Sequence, residues 1–244
     1  MPLILAVALI IILSLALYYG QVIVSKIRAG RMKKHALNLG LQYSAQEIPT
    51  DPGIPGDFLL FALGTPGDKK NVLQGRYNQL QIKIYEYDFT IHFNRMMETI
   101  PQTVLQAFLP DIDFPQFTLV PQRHLDAIYN NLVTQEGKDS LLGTAGIKLP
   151  NQPEFCEAYK LMGVNWQQLQ IIFDHPAVIE NLAILDSQSV KGRICVEGFG
   201  QHILIYPLYT LLNLKQLEQY IKNSTNLAKA LAQKARHRNG QVNA

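Results

Sequence analysis

An uncharged stretch from Pro2 to Val24 constrains the fold of this chain more than any other feature. In helical conformation it would extend over about 35 Å, enough to cross a hydrocarbon core of about 30 Å with some tilt. A core helix of a soluble protein is rarely this long without a polar interruption. The sequence therefore predicts a transmembrane anchor over residues 1–24, which contacts the lipid bilayer through residues 2–24.

A basic cluster follows the apolar stretch directly and contains no acidic residue. Basic flanks resist translocation, so the anchor is expected to be uncleaved, with its N-terminus outside and residues 25–244 in the cytoplasm. The opposite topology and a cleaved signal peptide are the alternatives, although the residues before the apolar run lack the charge that a signal peptide needs. The cluster is also predicted to contact anionic lipid headgroups. Its members are Lys26, Arg28, Arg31, Lys33 and Lys34.

The net charge of +3 conceals an uneven distribution along the chain. Residues 26–34 and 226–244 contain basic residues only, so the stretch between them has a net charge of −6. An acidic body repels the phosphate backbone, which argues against a nucleic-acid partner. The basic C-terminal tail, residues 226–244, is expected to be solvated and partly disordered, with RNA contact as the alternative.

Proline, glycine and charge divide the rest of the chain. Residues 25–45 are predicted to form a basic juxtamembrane helix and linker, with Gly40 as the C-terminal cap of the helix. A first α+β half is predicted over residues 46–140 and a second over 141–225, joined by a glycine-rich hinge. A faint repeat between the two halves favours two related subdomains.

Hairpin patterns predict the fold class. Val72–Tyr77 and Leu80–Ile91 flank Asn78-Gln79, as two strands flank a tight turn. The apolar phase switches within the second strand, which predicts a bulge or a change of sheet. Because hairpins outnumber strand–helix–strand units, we expect an α+β fold with a mainly antiparallel sheet behind a single N-terminal transmembrane helix. Further strands are predicted at Phe58–Leu63, Gln102–Phe108, Phe114–Val120, Phe155–Leu161, Val190–Glu197 and Gln201–Tyr206.

Helical patterns occur at four places. Pro121 precedes an amphipathic helix, Asn165 caps a second, and Pro176 starts a third. A long helix from about Leu211 has apolar residues at steps of three and four. These residues predict packing onto the sheet, with a coiled coil for self-association as the alternative.

The sequence predicts no catalytic, cofactor-binding or metal site. Phosphate loops, dinucleotide fingerprints, zinc spacings and nucleophile elbows do not occur. Cys156 and Cys195 lie among apolar neighbours and are expected to be packed thiols. The alternative is a membrane-tethered hydrolase that uses one of these cysteines, or another nucleophile. It would need a histidine brought close by folding, and the candidates are His92, His124, His175 and His202.

Five short segments occur in an order that resembles a family of uncharacterised bacterial proteins with one N-terminal transmembrane helix and a cytoplasmic α+β domain. The resemblance spans most of residues 30–235 and implies an architecture in the bacterial inner (cytoplasmic) membrane, but no catalytic residues. The segments are Asn71-Val72-Leu73-x-Gly75, Ile84-Tyr85-x-Tyr87-Asp88-Phe89, Gln102-Thr103-Val104, Phe117-Thr118-Leu119-Val120-Pro121 and Tyr159-x-Leu161-x-Gly163.

The anchor and the lack of a catalytic motif together favour a non-enzymatic function. We expect a membrane-anchored cytoplasmic binding or scaffold protein with a protein partner that the sequence does not identify. The membrane-tethered hydrolase is the competing hypothesis.

Overall fold

The apolar stretch and the basic cluster form one continuous helix, α1 (Pro2–Leu39), in the computed structural model of the chain. The structure describes residues 2–47, 58–93, 96–126, 128, 146–189 and 194–239. Within them, one helical segment, Leu9–Leu39, is long and apolar enough by composition to span a membrane, and its most apolar window is not buried. A helix of 38 residues extends over about 57 Å, which is longer than the hydrocarbon core of a bilayer, about 30 Å.

Helix α1 ends in a Schellman motif, as Gly40 predicts. The Leu41 N–H donates to the Ala36 carbonyl at 2.8 Å, and the Gly40 N–H donates to the Leu37 carbonyl at 3.2 Å. Gly40 has a φ of +69°, which a residue without Cβ adopts at little cost. The predicted end of the helix is confirmed.

Eight strands form a single antiparallel sheet in the order β1-β2-β3-β4-β8-β7-β5-β6. The predicted fold class, an α+β domain with a mainly antiparallel sheet behind an N-terminal apolar helix, is confirmed. The strands are β1 (Gln42–Gln46), β2 (Thr65–Tyr77), β3 (Leu80–Phe93), β4 (Met96–Phe108), β5 (Phe114–Pro121), β6 (Tyr159–Gly163), β7 (Ile194–Gly200) and β8 (His202–Pro207).

The two faces of the sheet are covered by different numbers of helices. One face packs against the C-terminal part of α1 and four later helices, and the other packs against residues 58–63 together with Leu125 and Ile128. In the described part of the chain the later helices are α2 (Leu59–Ala62), α3 (Pro153–Ala158), α4 (Trp166–Phe173), α5 (Pro176–Ser189) and α6 (Leu214–Asn239), of which α3, α4, α5 and α6 contribute to the first face.

Helix α6 packs its apolar seam onto the sheet. Leu217, Ile221 and Leu231 are buried, and the small residues Ser224 and Ala228 on the same side are fully enclosed. Small residues let a helix lie close to a sheet, while a coiled coil needs large apolar residues at these positions. The predicted packing is confirmed. The predicted basic tail from residue 226 begins within α6, which continues to Asn239.

The hairpin of β2 and β3 is confirmed, with Asn78 and Gln79 in the turn at φ values of 46° and 70°. The prediction of a bulge in β3 or a change of sheet is wrong, because β3 pairs with β4 without a register shift and lies in a single sheet along its length. The phase of the apolar residues changes because different faces of β3 are covered along its length. The side chains of Ile82 and Ile84 belong to the core on the face that the helices cover. Those of Tyr85 and the aromatic residues that follow belong to the core on the opposite face.

Two predicted strands are partly or wholly helical. Phe58–Leu63 contains the short helix α2, and Phe155–Leu161 is divided between α3 and β6. Pro153 stands at the start of α3 and fixes a helical φ there. Strand β1 lies at the edge of the sheet and was not predicted, since its residues lack alternation.

The helix starts predicted at Asn165 and Pro176 are confirmed. Asn165 caps α4 by accepting from the Gln168 N–H at 3.2 Å, and α5 begins at Pro176 as predicted. The helix predicted after Pro121 begins with a 3-10 turn, Gln122–His124, and its end lies outside the described residues.

The predicted boundary between the two halves near residue 140 also lies outside the described residues. In the described part, strands from both sides of that boundary belong to the same sheet, and β4 pairs with β8. The division into two halves stays a prediction.

Candidate functional site at the membrane-proximal cleft

A cleft of about 530 Å³ lies between α1 and the sheet, at the level where the apolar helix meets the domain. The α1 wall is apolar toward the N-terminus and becomes polar at Ser25 and Arg28. The opposite wall carries amide, ammonium and carboxylate groups from β2 and β3. The lining residues are Ala16, Leu17, Gly20, Val24, Ser25, Arg28, Lys70, Asn71, Glu86, Asp88 and Leu211.

Two bulges in β2 shape the polar wall. Asn71 and Val72 together oppose Tyr85, and Asn71 has a φ of 49°. At the second bulge, residues 67 and 68 oppose Asp88 alone. A Cβ on Gly67 would lie 2.3 Å from the Asp88 carbonyl oxygen, so only glycine fits there. Bulges bend a strand and redirect its side chains. Asn71 belongs to the first bulge, and Lys70 lies between the two.

Arg28 joins α1 to the sheet inside the cleft. Its Nε lies 2.5 Å from Glu86 Oε1, and its terminal nitrogen donates to the Leu212 carbonyl at 2.9 Å. Asn71 Nδ2 donates to the other Glu86 oxygen at 2.7 Å, and the Tyr43 hydroxyl donates to Asn71 Oδ1 at 2.9 Å. Burial, and secondarily the Glu86 charge, raises the pKa of Tyr43. The Glu86 carboxylate is only 8% exposed and relies on Arg28 and Asn71 for compensation.

A second ion pair in the cleft is more exposed than the first. Lys70 Nζ contacts Asp88 Oδ2 at 2.5 Å, and the Lys70 side chain is 45% exposed. The hydrogen bond with Asp88 raises the pKa of Lys70, so the ammonium stays charged at neutral pH. Together with Arg28 and Glu86, this pair gives the cleft two positive and two negative groups.

The basic cluster is divided by the fold. Arg28 turns toward the domain and pairs with Glu86, while Lys26, Arg31, Lys33 and Lys34 are exposed. The sequence alone does not distinguish Arg28 from its four neighbours. It also did not single out Lys70, Asn71, Glu86 and Asp88 as a site. The available signal was the pair of carboxylates alternating with aromatic residues in β3.

The cysteines lie apart from this cleft. Cys195 is fully buried, and burial raises the pKa of its thiol well above the usual range. The Cys156 sulfur accepts from the Leu149 N–H at 3.3 Å. Among the described residues neither sulfur is hydrogen-bonded to a histidine, and the side chain of His92 lies outside them. The cysteine–histidine pair that the cysteine form of the hydrolase alternative requires is therefore not formed in the described part of the chain.

Glu197 forms a buried polar centre on the other face of the sheet. Its carboxylate accepts from the Leu59 N–H at 2.5 Å, the Leu60 N–H at 3.0 Å and the Tyr206 hydroxyl at 2.6 Å. Burial raises its pKa to about 7, although the three donors act in the opposite direction. These bonds fasten the start of α2 to β7. In the residues that the structure describes, no group of three His, Cys, Asp or Glu side chains is placed to hold a metal ion.

Comparison with known proteins gives a likeness in fold. No family model matches the chain, and no curated protein matches it. The crystal structure of the mycobacterial trehalose monomycolate transport factor A, TtfA, is similar, with a TM-score of 0.50 at 10% sequence identity. The similarity covers 83% of this chain and 93% of that one. At this identity the likeness extends to the fold, and it includes most of the α+β domain described above.

Proposed function

We propose that this chain is a membrane-anchored binding or scaffold protein that holds its domain in a fixed orientation against the cytoplasmic face of a bacterial inner membrane. The observation that carries the proposal is the continuity of α1, which runs from the apolar span into the domain without a linker. We also propose that the chain belongs with the bacterial single-helix proteins that its sequence resembles.

Three sets of contacts fix the domain to α1. Met32 and Ala36 are buried against the sheet, Arg28 is held by Glu86, and the Schellman motif closes the helix. Only about 6 Å of helix separates Val24 from Arg28. A scaffold needs this arrangement because it fixes both the height and the rotation of the surface that a partner contacts. A tethered enzyme acting on soluble substrates has no such need.

Two further points support the proposal. The four exposed cations of the basic cluster lie where anionic headgroups would be, and each is worth about 1 kcal/mol close to such a surface. In addition, the fold is compatible with a binding role, because a protein that shares it is named as a transport factor.

The proposed orientation predicts the result of reporter fusions. Because the basic flank resists translocation, a phosphatase that requires periplasmic oxidation should be inactive when fused to the C-terminus. A fluorescent protein that matures only in the cytoplasm should fluoresce at the same site. Neutralising the basic cluster and adding lysines after Met1 should invert part of the population. An active phosphatase on the unaltered chain would overturn the cytoplasmic assignment.

Cross-linking in intact cells tests the scaffold itself. We expect one protein to be recovered with the chain at close to equal stoichiometry. A four-residue Gly-Ser insertion between Ser25 and Lys26 breaks the rigid connection, and it should lower that yield about tenfold, as a loss of about 1.4 kcal/mol would. The same insertion after Asn239 is the matched control and should leave the yield unchanged. Recovery of no stoichiometric partner, or equal yields from both insertions, would contradict the proposal.

A further inference from the structure

The two walls of the membrane-proximal cleft differ in a way that matches an amphiphile. Ala16, Leu17, Gly20 and Val24 belong to the predicted span, so the apolar wall is continuous with the hydrocarbon of the bilayer. The polar wall faces the same space from the sheet. A molecule in this cleft would contact apolar atoms along α1 and charged groups at β2 and β3.

The size of the cleft suits part of a lipid molecule. Its volume of about 530 Å³ lies within the range of small-molecule sites, about 300–1,000 Å³. Gly20 forms an indentation in the α1 wall, because a Cβ built there would meet no atom within 4 Å. The indentation lies where an acyl chain following α1 would enter.

The charges of the polar wall favour a zwitterion over an anion. Arg28 and Glu86 satisfy each other inside the cleft, and Leu212 and Asn71 complete their hydrogen bonds. Lys70 and Asp88 are in contact and are more exposed than Arg28 and Glu86. An ammonium group has three donors and a carboxylate has several acceptor positions, so this pair can bind a phosphate at Lys70 and an amine at Asp88 together.

We propose that the cleft binds one bilayer phospholipid with an aminophosphate headgroup, such as phosphatidylethanolamine. One acyl chain lies along the α1 wall at Gly20, the phosphate contacts Lys70, and the headgroup amine contacts Asp88. This inference rests on the proposed membrane anchoring. The basic cluster would attract anionic lipids in general, whereas the cleft would bind one specific lipid.

Native mass spectrometry of the full-length chain tests the site. Detergent micelles carry equimolar phosphatidylethanolamine and phosphatidylglycerol with identical acyl chains. We expect the wild-type chain to retain one lipid, with phosphatidylethanolamine preferred about tenfold. A Cβ at Gly20 meets no protein atom within 4 Å, so Gly20→Leu should project into the indentation and lower retention about tenfold. Gly30→Leu is the matched control, since a Cβ at Gly30 also meets no atom within 4 Å, and it should retain lipid as the wild type does.

The headgroup contacts have their own variants. Asp88→Asn removes the partner of the amine and should shift the preference toward phosphatidylglycerol about tenfold, while Lys70→Met should weaken retention of both lipids. Equal retention by Gly20→Leu and wild type, or a wild-type preference for phosphatidylglycerol, would overturn the inference. So would a loss of the cross-linked partner in Gly20→Leu with lipid retention intact, because the cleft would then hold a partner's helix.

Flotation separates the two proposals. With vesicles of phosphatidylethanolamine and phosphatidylglycerol, equal fractions of the wild-type and Gly20→Leu chains should float. A chain that does not float contradicts the membrane anchoring and with it the scaffold proposal. A chain that floats but retains no lipid in the cleft contradicts only the lipid site.

Discussion

Replacement of Glu197 by leucine is expected to lower the free energy of unfolding by about 4 kcal/mol. The substitution leaves the Leu59 N–H, the Leu60 N–H and the Tyr206 hydroxyl without their acceptor. Each buried donor without a partner costs about 1–3 kcal/mol. Because two of these donors belong to the start of α2, the segment that covers the aromatic face of the sheet should also loosen.

Chemical denaturation of the full-length chain in detergent, followed by circular dichroism, measures this loss. Glu197→Gln is the matched variant, since its carbonyl oxygen can still accept from the start of α2, and it should cost less than half as much at pH 5. Limited proteolysis should cut near residues 58–63 faster in the leucine variant. A leucine variant within about 1 kcal/mol of the wild type would show that the buried bonds contribute little.

The wild type and Glu197→Gln should also differ in how their stability depends on pH. The folded pKa of Glu197 is about 7 and the unfolded reference is 4.5, so the folded state binds more protons between these values. Stability from this group is therefore complete below pH 4.5 and is lost as the pH rises through 7. The wild type should lose about 3 kcal/mol relative to Glu197→Gln between pH 4.5 and 8. A constant difference between the wild type and Glu197→Gln over this pH range would contradict the assignment.

Arg28→Met is expected to lower the free energy of unfolding by about 3 kcal/mol and to loosen the contact between α1 and the sheet. The Glu86 carboxylate would stay buried with Asn71 as its remaining partner. A buried charge without its counter-ion costs more than the pair contributes. Denaturation measures the loss, and disulfide trapping between cysteines placed on α1 and β2 reports the loosening.

The double variant Arg28→Met/Glu86→Met separates charge from packing. Removing both partners should restore stability to within about 1 kcal/mol of the wild type, since an apolar pair replaces an ion pair. Lys33→Met, at an exposed position on the same helix, should change stability by less than about 0.5 kcal/mol. Additive losses in the double variant would show that Arg28 and Glu86 do not depend on each other.

Local signals explain what the sequence predicted correctly. The apolar run, Gly40 and the Asn78–Gln79 turn each specify the backbone within a few residues of themselves. The period of α6 identified the side that packs on the sheet. These features gave the fold class and the hairpins because each depends on neighbours in the chain.

The cleft depends on distant contacts, so the sequence did not reveal it. Arg28 and Glu86 are 58 residues apart, and they meet only because α1 extends over the sheet. Asn71 reaches Glu86 from a bulge that no local pattern marks. Similarly, α2 was predicted as a strand because the carboxylate that fastens its first N–H groups comes from Glu197, 138 residues away from Leu59.

When α1 spans a bilayer as proposed, the unbroken helix from the span to the Schellman motif couples the orientation of the domain to that of the span. Spanning helices change their tilt when the hydrocarbon thickness changes. Since α1 has no joint before Gly40, any tilt is transmitted whole to the sheet. A change of about 20° would swing a point about 30 Å from the pivot through about 10 Å. The same domain would therefore present its far surface at two different positions in a thin and a thick bilayer.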